Sequence, residues 1–148
     1  MIIDHANFAT FYRCIFNDTI NGRKLNSVEK VNSLQLKDIE HVVHSMWIDS
    51  FKILISTEST IFLYCTDSKT IVGEIILEDS IAGLVKINDS LYAAQLIDGT
   101  LIGIEVNDDD EIFLSDKEFP KLSKFYEKVV SVVAKNDVIF YGLKNLKK

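Results

Sequence analysis

The chain has 148 residues, 47% of them apolar and 26% charged, with six glycines and one proline. That length is one domain, or one with a small appendage, and the composition excludes disordered, collagen-like and linker-dominated chains. The net charge of −6 is unevenly spread: residues 1–116 hold 8 Lys/Arg against 19 Asp/Glu, whereas residues 117–148 hold 8 Lys against 3 acids. An acidic body makes nucleic acid a poor main partner, because affinity there comes largely from neutralising phosphates. Apolar stretches are cut by charge well before the roughly 18 residues that a spanning helix needs, so a membrane is not an expected partner either. Met1-Ile2-Ile3-Asp4-His5 lacks the basic-then-apolar order of a secretory signal, which makes the cytoplasm or nucleus the expected compartment. Cys14 and Cys65 are too far apart for a metal knuckle or a redox pair and read as reduced, small apolar side chains.

Taken in order, short β-branched and aromatic runs alternate with Asn, Asp, Ser and Gly clusters, roughly every eight to twelve positions. Strands are predicted over 5–16, 23–31, 40–48, 51–57, 60–65, 71–77, 81–87, 91–96, 101–106, 112–114, 129–134 and 138–142. Turns are predicted at Asn17-Asp18, Asn21-Gly22, Asp49-Ser50, Glu58-Ser59, Asp67-Ser68, Asn88-Asp89, Asp98-Gly99, 107–110 and Asn136-Asp137. In the first strand Phe8, Thr10, Tyr12, Cys14 and Phe16 line one face. Ile53-Leu54-Ile55 and Ile61-Phe62-Leu63-Tyr64 are apolar on both faces, as in a strand covered above and below. One segment departs from this pattern. Leu122, Phe125, Tyr126, Val129, Val130 and Val133 recur at helical spacing, with Lys117, Lys121, Lys124 and Lys128 on another stripe. With Pro120 suited to a first turn, a short helix over 120–128 is predicted, followed by a final hairpin about Lys135-Asn136-Asp137.

Set against itself at an offset of 40, the chain places turns on turns: Asp49-Ser50-Phe51 on Asp89-Ser90-Leu91, and Glu58-Ser59-Thr60-Ile61-Phe62 on Asp98-Gly99-Thr100-Leu101-Ile102. Asp67 falls on Asn107. A period of about 40 residues holding four strands is the size of a propeller blade. Over roughly 42–115, and on towards Gly142, the chain resembles the WD40-like β-propeller family in spacing and strand count. The family's Gly-His pair is absent, and Trp47-Ile48-Asp49 stands before the second strand of its unit, whereas the family's Trp-Asp closes the third.

The fold expected is mostly β: a single β-rich domain over 1–148, with blade-like units at 42–80 and 82–116, partial units at both ends, and one helix near the C terminus. About three and a half blades do not close a ring, since propellers have roughly four to eight. Apolar sheet faces and strand edges would then stay open until a protein partner or a second copy covers them. The alternative is a single β-sandwich, or a barrel closed by the helix. Such a module resembles pleckstrin-homology-like domains, which bind peptides or anionic lipid heads, and its ligand would meet the basic segment.

Catalytic signatures do not emerge. His41 and His44 lie three apart on a strand and so face opposite ways, and the acidic run 108–111 lacks calcium-loop spacing. Nucleophile elbow, phosphate loop and zinc-protease motifs are missing. The chain is therefore expected to be a non-enzymatic interaction module, a scaffold subunit that needs no cofactor or metal. Trp47 with Phe51, Tyr64 and Tyr92 forms either a binding patch or core. Phe8, Tyr12, Trp47, Lys121, Lys124, Lys128, Ile139 and Phe140 are the candidate partner-binding residues, with the outermost strands 5–16 and 138–142 as the contact edges.

Overall fold

Every regular element among the described residues is a β-strand, and side chains that cap their own turns fix where the strands end. The computed structural model describes residues 2–3, 8–20, 22–36, 39, 41–119, 129–135 and 138–143. They belong to two compact units, 1–42 and 43–148.

The first unit is a three-stranded antiparallel sheet of β1 (Ile2–Ile3), β2 (Phe8–Thr19) and β3 (Gly22–Gln35), in that order. β2 and β3 form one long ribbon closed at the pair Thr19 and Gly22, where the Thr19 hydroxyl donates to the Gly22 carbonyl at 2.6 Å. Gly22 has φ 112°, a conformation that a side chain would strain. The turn predicted at Asn17-Asp18 does not form. Asn17 pairs with Lys24 and Asp18 with Arg23, so the ladder continues to the tip. Asp18 also accepts a 3.2 Å hydrogen bond from Arg23 Nε.

The second unit begins with two four-stranded meanders. One holds β4 (His44–Trp47), β5 (Lys52–Ser56), β6 (Thr60–Cys65) and β7 (Thr70–Ile76). The other holds β8 (Ile81–Lys86), β9 (Leu91–Leu96), β10 (Leu101–Val106) and β11 (Ile112–Leu114), and a hairpin of β12 (Val129–Lys135) and β13 (Val138–Leu143) follows. Asp49 Oδ1 accepts from the backbone N–H groups of Phe51 and Lys52 at 2.7 and 2.9 Å, which bends the chain from β4 into β5. Asn88 Oδ1 does the same for Ser90 and Leu91 at 3.1 and 2.9 Å. The turn equivalent to Asp49 is therefore built on Asn88, one residue before the Asp89 that a uniform offset of 40 selects.

Alternation sends the side chains of the second meander into two cores. On β9, Tyr92, Ala94 and Leu96 join Leu54, Ile61, Leu63 and Ile75 in the layer between the two meanders. Leu91 and Ala93 face the other way, with Val85, Ile87 and Leu101, and there Val132, Ala134 and Ile139 of the last hairpin pack onto them. The sheets are thus stacked face to face as blades. No strand pairing among the described residues joins them into a barrel, and the third layer exceeds a two-sheet sandwich. The predicted helix over 120–128 lies outside the described residues. No helix occurs among the described ones, and Val129 and Val130, part of the helical stripe, begin β12.

The meanders approach closely where β7 meets β11. A Cβ on Gly73 would lie 2.6 Å from Ile112 Cγ2. Gly73→Ala should cost about 1–3 kcal/mol by overpacking, read as a lower urea midpoint. Ile112→Ala in the same chain should return part of that loss, giving a favourable coupling in a double-mutant cycle. Additive costs would place the strain elsewhere.

Candidate partner-binding surface

The last hairpin has one covered face. Ile139 turns inward onto the second core, while Val138 and Phe140 point outward at 52% and 58% exposure. β13 pairs with β12, and no strand lies along its other edge among the described residues. Of the two neighbouring positions predicted as contacts, Phe140 is presented and Ile139 is packed; Val138 replaces it on the outer face. Residues i and i+2 share a face of a strand, so the outward pair is fixed once Ile139 is seated.

Within the first unit, Tyr12, Cys14 and Phe16 share one face of the ribbon, as the period of two requires. Val28 lies opposite Cys14 and Leu25 opposite Phe16. Tyr12, Phe16, Leu25 and Val28 are 42–52% exposed, Cys14 is exposed too, and Ile20 at the tip stands fully in solvent. The cysteine is therefore a surface thiol and not a core residue. Leu25 and Val28 escaped sequence reading because asparagine and serine interrupt the alternation around them. β2 is the middle strand of its sheet, but β1 reaches only Ala9 and Thr10. Phe8 begins β2 opposite Gln35. Lys121, Lys124 and Lys128 lie outside the described residues.

The aromatic group around Trp47 divides. Tyr64 and Tyr92 are buried, and burial raises both phenol pKa values above the usual one. The Tyr92 hydroxyl donates to the Asp89 carbonyl at 3.0 Å, which marks it as core with a satisfied polar end. Trp47, opposite Ile53 at the end of β4, is 39% exposed, and Phe51 is 54% exposed.

At the turn end of the meanders, Asp49, Lys52, Asp89, Asn107 and Asp108 border a cleft of about 360 Å³. Both lysines at this end pair with carboxylates. Lys52 Nζ lies between Asp49, at 3.6 Å, and Asp110 of the β10–β11 turn, so one ammonium spans the two meanders. The hydrogen bond that Lys52 donates to Asp110 is the largest influence holding the Lys52 pKa above its usual value. Lys86 bonds Asp89 at 2.8 Å, which raises the lysine and lowers the carboxyl. The Cys65 thiol is lowered, chiefly by a hydrogen bond from the Ser68 side chain. Among the described residues, no three His, Cys, Asp or Glu side chains gather to hold a metal ion. No helix among them is long and apolar enough to cross a membrane.

No family model matches the chain, and no curated protein matches it. Solved structures do. A chain of a mitotic checkpoint complex superposes with a TM-score of 0.57 at 10% identity, over 78% of this chain and 38% of that one. The β-propeller domain of Cps50 (Swd1) from Myceliophteria thermophila gives 0.53 at 11%, over 77% and 39%. The C-terminal WD40 domain of Sif2 gives 0.55 at 15%, over 89% and 41%. The chain has the fold of WD40-type propeller blades and spans about two-fifths of the length of these structures.

Replacing Lys52 with Met should lower stability by less than about 1 kcal/mol, because the pair is half-exposed, and by less still in high salt. Its pKa is raised on folding, so the contribution is complete below the unfolded value of 10.5 and fades as pH climbs through the folded one. The gap between wild type and variant should stay level from about pH 6 to about 9; a gap that changes there would implicate other groups. Ser56 Oγ is buried and has no hydrogen-bond partner among the described residues. Ser56→Ala should be neutral or raise the thermal midpoint, since leaving a buried hydroxyl unbonded costs about 1–3 kcal/mol. A clear loss of stability would mean the hydroxyl has a partner after all.

Proposed function

We propose that the protein is a non-enzymatic interaction module, a scaffold subunit whose propeller blades are completed by another protein chain. The observation that carries this reading is the half-covered last hairpin. Its inner face packs, partly buried, on the second core, while its outer face presents Val138 and Phe140 beside a strand edge that is unpaired among the described residues. Aromatic and branched side chains on an uncovered sheet face, next to unbonded backbone groups, are what a partner sheet or strand recognises. The WD40-type fold supports the reading, since one matched chain comes from a mitotic checkpoint complex and another is a β-propeller domain. The described sheets give no support to a lipid- or peptide-binding barrel of the pleckstrin-homology kind.

The test is affinity capture with the intact chain, followed by mass spectrometry of what is retained. Phe140→Glu should weaken binding of the captured chain at least roughly tenfold, as loss of a central aromatic contact does. It should leave the protein's own unfolding midpoint within about 0.5 kcal/mol of wild type. Phe140→Pro should weaken association more than folding, because proline is tolerated on an edge but blocks a new ladder. Capture unchanged by both variants would remove this surface from the function.

A further inference from the structure

We infer that the partner is a second copy of this chain, with the β2–β3 ribbon of one copy completing the blade that β12–β13 begins in the other. The inference rests on the interaction-module reading above and names its partner. β12 packs against β8 as β8 packs against β4, so β12 takes the first place in a blade and β13 the second. Each complete meander in the chain has four strands in sequential order, and the element that suits the places after β13 is therefore a two-stranded hairpin.

The β2–β3 ribbon is a two-stranded hairpin with an available flank. β1 covers Ala9 and Thr10, and from Tyr12 to Thr19 no strand lies on that side of β2 among the described residues. Those eight positions can seat the six residues of β13. The sequence of β13, Val-Ile-Phe-Tyr-Gly-Leu, has no charge and no proline. Strands that must stay single usually carry lysine, proline or an inward charge as protection, so an unprotected edge is suited to pairing. The ribbon likewise exposes Tyr12, Phe16, Leu25 and Val28, whose burial needs another sheet. Donor and acceptor edges occur on the same polypeptide, so one kind of contact between copies satisfies both.

The native thiol on β2 supplies the test. One protein keeps Cys14 and carries Cys65→Ser. The other carries Cys14→Ser, Cys65→Ser and either Ile139→Cys or Phe140→Cys, adjacent positions on opposite faces, one of which shares the face of Cys14 in the joined sheet. The two are mixed, treated with a short bismaleimide and digested. The expected result is a linked peptide joining Cys14 to the position 139 or 140 cysteine, with the untreated wild type sedimenting above monomer mass at micromolar concentration. Phe140→Glu, which leaves the backbone free to pair, should return the mass towards monomer while the far-ultraviolet spectrum holds. Association without that linked peptide would overturn the β13–β2 join. A monomer throughout would overturn self-pairing, while Phe140-dependent capture of a different protein would still uphold the interaction-module reading.

Discussion

The second unit depends on one constraint: a sheet whose strands are apolar on both faces must be sandwiched between two other layers. β9 shows it most plainly, with all six residues buried and its side chains divided between two cores. Full burial of a Leu, Ile or Phe side chain is worth about 1.5–3 kcal/mol, so several such residues per face outweigh any single polar contact in the molecule. The Lys52 bridge to Asp110 is an accessory by comparison. It ties two turns together after the apolar layer has already set the spacing of the sheets. Gly73 marks how close that spacing is, since a Cβ there would lie 2.6 Å from Ile112 of the neighbouring meander.

Strand positions in the two meanders were legible because two independent signals coincide there, an alternating period and a turn residue that bonds its own backbone. Where the signals separate, sequence reading went astray. Asn17-Asp18 has turn composition, yet an exposed ribbon leaves polar side chains in water at little cost, and the ladder runs through them. The offset of 40 located both meanders, but local hydrogen bonding shifts the first turn by one residue, from Asp89 to Asn88. Sequence pattern alone could not tell which neighbour, Ile139 or Phe140, faces the core, because the hairpin is apolar on both faces. That choice is made by Val85, Ile87 and Leu91, which lie more than 40 positions away in the chain.

The fold match at 10–15% identity shows how little residue identity a blade requires. The Gly-His and Trp-Asp signature of the resembled family is absent or displaced here. Asp49 and Asn88 instead cap the first turn of each meander, and Asp98 caps a later one by accepting from the Thr100 N–H at 2.8 Å. Any side chain that bends the chain between two-faced apolar strands can serve, provided the strand lengths match so that adjacent sheets cover one another.

At the turn end Lys52 is paired with Asp49 and Asp110 and Lys86 with Asp89, and the buried tyrosines belong to cores. Among the described residues, exposed apolar side chains include Val138 and Phe140 on β13 and Tyr12, Phe16, Leu25 and Val28 on the β2–β3 ribbon. A face of this kind has no motif, because it is assembled from ordinary core residues that lack a covering layer. Val138 and Phe140 would be unremarkable inside a complete blade. Here they stand half-exposed, while the neighbouring Val132, Ala134 and Ile139 pack onto the second core.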